Sequence, residues 1–496
     1  ERLVDAQLVE AGPEDPTGRV RYRFHDLLRV FARECLRAQE PETGRQAALE
    51  RALGAYLGLA QQARARLGRD DHRIDHDTRG RLGQVDDCGL VAAIERDPLP
   101  WFMVEQANLV AAVGQAHDAG LWELTWELAG TLSVFLESRA QWNAWEHAAG
   151  LALDATRKAA NRRAEAYTLR SIATIYRFYR HQGRGEQSMV YFERCLALFA
   201  DLDDQRGAAY ALLGRGAAHR SQGRYGDALA DFDRCLPLFR ELEDEFGEAA
   251  ALREIGVISH SRGRFDDATA RLGQALTVFR RCGARLPAAL TLGHLGLVHR
   301  DRGRFGDAVA CTEQSLAVLR ELGNRLGEAM ALRSLGEVYR RAGRLDDALR
   351  RLDGCLSMFR ELGDRGGEAW TLRSLGDLYR DQGRLDEALG CFDRCLPVFR
   401  ELGARSAEAD ALHSLGELYQ TLGRDQDAMG CYDHSLTIVR QLGLALKEAK
   451  TLTKIGALLA ARGDQTTARA VWRQAWTIFH DLGMPEADEL QTQLQH

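Results

Sequence analysis

Asp71, His72, Asp75 and His76 in the segment DDHRIDHD stand at spacings that would let imidazoles and carboxylates clasp a metal ion if the segment were helical. The segment lies in a polar stretch between Gly68 and Gly80, which favours a solvated loop, so no metal is expected. Ten cysteines include no CxxC pair. Cys195, Cys235, Cys355 and Cys395 share one recurring position, and Cys311, Cys391 and Cys431 share another four residues earlier, a pattern of packing rather than redox or zinc chemistry. A phosphate-cradling loop needs Gly-Lys-Ser/Thr. The only lysines are Lys158, Lys447, Lys450 and Lys454, and none follows a glycine, so this chain holds no such loop and any ATPase engine is expected upstream. No Ser-His-Asp, Cys-His or paired-carboxylate arrangement stands out, and no catalytic site is expected. What remains is a His-Asp pair, His25 and Asp26, in RYRFHDLLRVFARE.

That pair sits at a strand-to-helix junction. Val20, Tyr22 and Phe24 alternate with Arg19, Arg21 and Arg23 at the period of a strand; Leu27, Leu28, Val30, Phe31 and Leu36 then fall on one face of a helix. The rest of the chain bounds what the pair can serve. With 496 residues, 45% of them hydrophobic, a core can form, but a net charge of -6 supplies no overall basic field for nucleic acid. No run of about 18 apolar residues and no signal-peptide pattern occur, which points to a cytoplasmic protein without a membrane partner. The abrupt start at Glu1 reads as that of a fragment.

Glycine recurs at 183, 223, 263, 303, 343, 383, 423 and 463, a spacing of 40 without an insertion. Within one copy, Leu332, Leu335, Val338 and Tyr339 recur at helical spacing, Gly343 breaks the run, and Leu345, Ala348, Leu349, Leu352 and Leu356 begin a second helix. Asp346 is placed to be its N-cap or a first-turn acid. Each copy is a helix hairpin, and a strand-rich propeller blade does not fit.

Residue types sharpen the pattern: Leu332, Leu335-Gly336, Tyr339, Gly343, Ala348, Leu352 and Cys355 are followed one copy later by Leu372, Leu375-Gly376, Tyr379, Gly383, Ala388, Phe392 and Cys395. This resembles the tetratricopeptide repeat, whose usual period is about 34 residues. The resemblance implies an all-α, right-handed superhelical solenoid of helix hairpins, with eight copies over residues 160–483 and a cap or tail over 484–496. The six extra residues per copy leave the pitch open. The first copy departs from the pattern, with Tyr176 for the small Gly, Gly185 for the aromatic and Ser188 for Ala; in the second, Arg215 replaces Ile or Leu and must find a carboxylate or snorkel to solvent.

The family's concave face is its binding face. Its inner positions map onto Arg253, Arg333 and Arg373 at one level and Arg180, Arg220, Arg300, Arg340 and Arg380 at another, with Glu337, Asp377 and Glu417 between them. Such a ladder suits carboxylate or phosphate groups, because arginine offers a fixed fork of donors; alternatively, the arginines pair with the interleaved acids and solubilise a helix face. Trp370, Tyr210 and Met330 fall near this surface, and Arg333, Arg373 and Trp370 make the best candidate patch for a protein or peptide ligand.

Residues 41–159 read as an irregular helical connector with a degenerate repeat beginning near Ala140. Trp101, Phe102, Glu105, Asn108 and Leu109 resemble a WF-x-x-E-x-x-NL segment that precedes the repeats in AfsR-like, SARP-type regulators; Trp101 and Leu109 read as core, and Glu105 and Asn108 as ties between helices. Residues 1–40, with LVDAQLVEAG ahead of the strand, resemble the end of a winged-helix domain: helix, wing and closing helix. Phe24-His25-Asp26-Leu27-Leu28 resembles the Met-His-Asp motif of STAND ATPases of the NB-ARC class. That resemblance implies that His25 reaches an ADP phosphate and Asp26 orients the neighbouring backbone, with nucleotide held by an upstream domain in cis and no cofactor in this fragment. It further implies a transcription regulator that touches DNA only through an absent N-terminal domain and oligomerises on activation. Two other readings stay open: a tetratricopeptide adaptor without a switch, and the sensor of a STAND defence protein with an enzymatic effector.

Overall fold

A computed structural model describes residues 8–15, 19–67, 88–139, 141–178, 185–484 and 486–495. They fall into two compact units, Glu1–Ile172 and Ala173–His496. The DDHRIDHD segment and Arg180 lie outside the described residues.

The first unit opens on a hairpin. Strand β1 (Val9–Glu14) pairs antiparallel with β2 (Val20–Phe24), Val9 opposite Phe24 and Ala11 opposite Tyr22. The expected helix ahead of the wing therefore gives way from Val9 onward to the wing's own first strand, because the backbone donors and acceptors of β2 are satisfied by it. Helix α1 (Asp26–Gln39) follows and buries none of its residues. Then come α2 (Glu42–Leu67), α3 (Cys88–Arg96), α4 (Pro98–Asp118), α5 (Trp122–Ser138), α6 (Trp142–Lys158) and α7 (Arg162–Phe178), the last of which carries the division between units. Asp97 accepts from the Leu99 amide with Pro98 at the first position, a start signal readable in the sequence. Trp101, Phe102 and Leu109 are core residues, and Phe102 stacks on Phe135 with ring centroids 4.8 Å apart. The degenerate repeat begins one helix earlier than Ala140, since α5 and α6 already form a hairpin of two 17-residue helices.

The second unit is the regular array: α8 (Gly185–Asp201), α9 (Gln205–Ser221), α10 (Tyr225–Glu241), α11 (Glu245–Ser261), α12 (Phe265–Arg281), α13 (Arg285–Asp301), α14 (Phe305–Glu321), α15 (Arg325–Arg341), α16 (Leu345–Glu361), α17 (Arg365–Asp381), α18 (Leu385–Glu401), α19 (Arg405–Thr421), α20 (Asp425–Gln441), α21 (Ala445–Ala461), α22 (Gln465–Asp481) and α23 (Glu486–Gln495). From α8 to α22 every helix has 17 residues and every joint three, so two helices and two joints fill the 40-residue period. Each joint is a Schellman stop. At Gly343 (φ 76°) the amide bonds back to Arg340 O at 3.0 Å and the Arg344 amide to Tyr339 O at 2.8 Å, which satisfies carbonyls the helix leaves free. Asp203 (φ 51°) and Glu243 (φ 52°) take the same left-handed place without being glycine.

Small residues bring the helices of a hairpin together. A Cβ on Gly336 would lie 2.6 Å from Leu352 Cγ, and one on Gly376 would lie 2.8 Å from the Phe392 ring. Cys195, Cys235, Cys355 and Cys395 are fully buried, as their repeated position predicts. Asp346 is a first-turn acid and not the N-cap; Arg344 holds the cap place and its guanidinium bonds to Asp347 at 2.7 Å while lying over the Tyr339 ring. First helices of successive hairpins approach one another more closely than second helices do, so the first helices line the inner curve. The array also meets itself. The turn at Gly223, in the second copy, lies against Leu444 at the end of the seventh, and the turn at Gly263 lies against Met484 at the end of the eighth.

Candidate ligand-binding surface

The inner-curve positions fall on the faces that α11, α13, α15 and α17 leave outside the core. In α15, Arg333, Glu337 and Arg340 are four and three residues apart, hence on one face. In α17 the same spacing yields Arg373, Asp377 and Arg380. Glu337 and Asp377 are only 6% and 4% exposed, so their charges require partners. Arg373 Nη1 donates to Asp377 at 3.0 Å and its Nη2 lies 3.7 Å from Glu337, which joins the two helices. Arg340 reaches Glu337 at 3.3 Å and pairs closely with Asp381; Arg380 donates to Glu417 at 2.6 Å, and Lys454 closes the far end on Glu417 at 2.6 Å. Arg253 bonds to Glu254 at 3.0 Å, and Arg300 to Asp301 at 2.8 Å. Most of the ladder is thus ion-paired, in one network that runs from Glu337 to Lys454 and in smaller groups around Glu254 and Asp301.

Burial and neighbouring charge compete along it. Burial would push the Glu417 carboxyl up, yet Arg380 and Lys454 hold it down at about 2. Glu254, buried between Arg220 and Arg253, is likewise held below the carboxylate range. Glu337 is lowered despite burial by Arg373 and Arg340, whereas burial raises Asp377 even beside Arg373 and Arg380. His294 in α13 is driven down to about 3, by burial first and then by Arg220, and is neutral at pH 7.

One member of the series stands apart. Arg333 forms no ion pair among the described residues; its guanidinium lies over the Trp370 ring, 5.7 Å from the centroid, with Arg373 over the same ring at 5.4 Å. Burial lowers its proton affinity, with the Glu337 charge opposing. Among the described residues Glu337 Oε1, Arg373 Nε, Ser374 Oγ and Asp377 Oδ1 are buried without a well-formed hydrogen bond, Glu337 Oε1 and Asp377 Oδ1 having only the longer ion-pair contacts to Arg373 (3.7 Å) and Arg380 (3.5 Å). Met330, 48% exposed, adds apolar surface one copy ahead of Trp370. Trp370 itself packs edge-on to Phe399, as Tyr210 does to Phe239 four copies earlier, so Tyr210 belongs to its own hairpin and not to this patch.

The other singled-out residues are placed as follows. The His25 side chain is 62% exposed, 3.7 Å from Glu10, and Asp26 opens α1 with Arg29 at 3.4 Å. Glu105 is buried and ties three elements: Arg21 of β2 pairs with it closely, Tyr56 of α2 donates to it at 2.7 Å and Asn108 at 2.9 Å. Arg215 finds a carboxylate and does not snorkel, forming two bonds to Asp231 at 3.0 and 2.5 Å. Sequence reasoning missed Asp231, although it departs from its counterparts in the same copy as Arg215, the signal of a compensating pair.

Comparison with known proteins adds the following. The profile of the tetratricopeptide repeat matches residues 171–241, 207–281, 247–321, 287–361, 327–401 and 367–441. Regulatory protein AfsR of Streptomyces griseus is 31% identical over 167 residues, which are 34% of this chain and 16% of that protein. Regulatory protein AfsR of Streptomyces coelicolor is 28% identical over 220 residues, 44% of this chain and 21% of that protein. The chain thus spans less than a quarter of the length of these relatives. Among solved structures, a Rap protein complexed with Competence and Sporulation Factor superposes with a TM-score of 0.54 at 14% identity, covering 70% of this chain and 98% of that one, a likeness of fold.

Proposed function

Because the chain belongs to the tetratricopeptide repeat family, we propose that it is the sensor region of a STAND-type transcription regulator, binding a protein or peptide ligand on the inner curve of its array. The observation that carries this reading is Arg333: a guanidinium outside any ion pair among the described residues, stacked on Trp370, beside buried polar atoms of Glu337, Arg373, Ser374 and Asp377 whose hydrogen bonding is incomplete. A ligand carboxylate placed there would pair with Arg333, and its backbone would meet the donors and acceptors left open on α15 and α17. Arg253, Arg300, Arg340 and Arg380, engaged with acids of the array, shape the surface and hold the helices in register. Likeness to regulatory proteins over part of the chain supports a regulatory role.

In this reading the array restrains a nucleotide switch borne on an upstream NB-ARC core. ADP or ATP would be its cofactor, a winged helix at the far N-terminus would touch DNA, and activation would bring oligomerisation. His25 would reach the ADP phosphate and Asp26 would steady the neighbouring backbone. The apolar side chains of Tyr22, Phe24, Leu27, Val30 and Phe31, exposed together on the hairpin and α1, suit that head to packing against the core. Ligand that binds the array better in the open state shifts the population and permits nucleotide exchange. The test is a reporter driven by the full-length protein. Arg333→Glu with Arg373→Glu should abolish the ligand response with helicity intact, while Arg360→Glu, on the exposed end of α16, should leave it unchanged. An undiminished response in the double variant would contradict the reading.

A further inference from the structure

Where the array meets itself it encloses a cavity of about 1010 Å³, bordered by the turns at Gly223 and Gly263 on one side and by the ends of α20 and α22 on the other. Arg333, Trp370 and Arg373 are not in its lining, which reaches the inner-curve ladder only at Asp301, the partner of Arg300. Its size is at the upper end for small-ligand sites, which run to about 1,000 Å³.

The lining combines two chemistries. Phe265, Leu442, Leu444, Leu446 and Met484 supply apolar wall, and Phe265 packs with the apolar cluster of α21, α22 and α23. Six arginine and lysine side chains share the lining with five acids, among them Asp481 and Glu486, and one carboxylate oxygen of Glu486 is buried without a hydrogen-bond partner among the described residues. Arg224, Arg341 and Lys447 pair with Asp227 (2.7 Å), Asp301 (3.1 Å) and Asp410 (2.7 Å). Arg262, Arg264 and Lys450 line the same space without an ion pair among the described residues. Arg262 is partly buried over the Tyr225 ring at 5.8 Å, and burial, with Arg264 adding to it, disfavours its charge. Two guanidiniums thus stand on either side of one glycine turn, beside an apolar wall, neither in an ion pair among the described residues, although Asp267 feels the charge of Arg264. An anion between them would remove their mutual repulsion, and an apolar chain attached to it would lie against Leu444 and Met484.

We infer that this cavity is a second binding site, which takes an apolar chain carrying one carboxylate, held by Arg262 and Arg264. Such a ligand touches both sides of the closure and so fastens the second and third copies to the seventh and eighth. Its source is either an acyl carboxylate or the C-terminus of a short apolar peptide.

The test uses the 496-residue chain and four probes in calorimetry: decanoate, decanol, trileucine with a free C-terminus, and its amide. At least one acid should bind, and about tenfold or more tighter than its neutral counterpart. Arg262→Gln should weaken that acid by about tenfold or more, and Leu446→Trp, which fills the cavity, should abolish binding. The acid that binds more tightly assigns the source. The Arg333→Glu, Arg373→Glu variant should keep full affinity, which separates this site from the inner-curve patch. Absence of binding by both acids, equal binding of acid and neutral probes, or unchanged affinity in Arg262→Gln would overturn the inference.

Discussion

Arg215 and Asp231 show what single residues decide in a repeat array. In every other copy the place of Arg215 is held by Ile or Leu, as at Leu335, and Asp231 is buried against it. Removing one partner of a buried pair leaves an uncompensated charge at a cost of about 3–5 kcal/mol, whereas exchanging both for apolar residues is often neutral or better. Asp231→Ala should therefore destabilise the chain by about 3 kcal/mol, and Arg215→Leu with Asp231→Cys, the residues found at 335 and 391, should recover most of the loss. Denaturant unfolding of the four-member cycle measures this; additive losses would show that the pair carries no coupling. Arg333 is the reverse case, a guanidinium with aromatic support and no ion pair among the described residues, and this contrast separates a structural arginine from a candidate binding one. The sequence did not distinguish them, because both follow the same spacing and only the pairing across neighbouring helices sorts them.

Element boundaries were largely legible because the stop signal is chemical. A left-handed residue after the last helical turn favours glycine, so the recurring Gly at 343 and its counterparts reports each helix end directly. The second stop of each copy, as at Gly363, carries the same geometry, and its recurrence explains the 40-residue period: two joints, each with three residues, and two helices of 17. Glu243 violates the rule at φ 52°. Glu243→Gly should stabilise the end of α10 by about 1 kcal/mol, seen as a raised thermal midpoint, and an unchanged or lowered midpoint would mean the turn is not strained. Of the two places open to Asp346, N-cap or first-turn acid, it takes the second. Acids enrich both the cap and the first turn, and here the cap place belongs to Arg344, whose bond to Asp347 and cover over Tyr339 fix the joint from outside the helix. The strand at Val9 was missed because VEAGPE, with two acids, a glycine and a proline, shows no helical or strand period by itself.

At the scale of the whole array, the meeting of early and late copies could not be read from the sequence. Leu444 and Met484 are ordinary apolar residues, and their contact depends on a pitch that the repeat length leaves undetermined. The glycines carry its trace. Gly263 and Gly343 have nearly the same backbone, φ 74° and 76°, but a Cβ on Gly263 would fall on the Met484 sulfur, whereas one on Gly343 meets open space. Gly263→Ala should thus cost more stability than Gly343→Ala by about 1–3 kcal/mol and expand the array in small-angle scattering, while Gly343→Ala should not change its dimensions. Equal effects of the two substitutions would mean the closure contributes nothing. The fold class and the candidate residues were accessible from period and residue type; the difference between a paired ladder and an open patch required the tertiary arrangement.

The central claim is that the array restrains a nucleotide switch to which residues such as His25 belong. Its most direct test is the release rate of a fluorescent ADP analogue from the full-length protein, intact and ending after residue 40. Loss of the array should speed release by about tenfold or more, corresponding to a coupling of about 1.4 kcal/mol or more. Equal rates, or failure of the full-length protein to bind the analogue at all, would contradict the account.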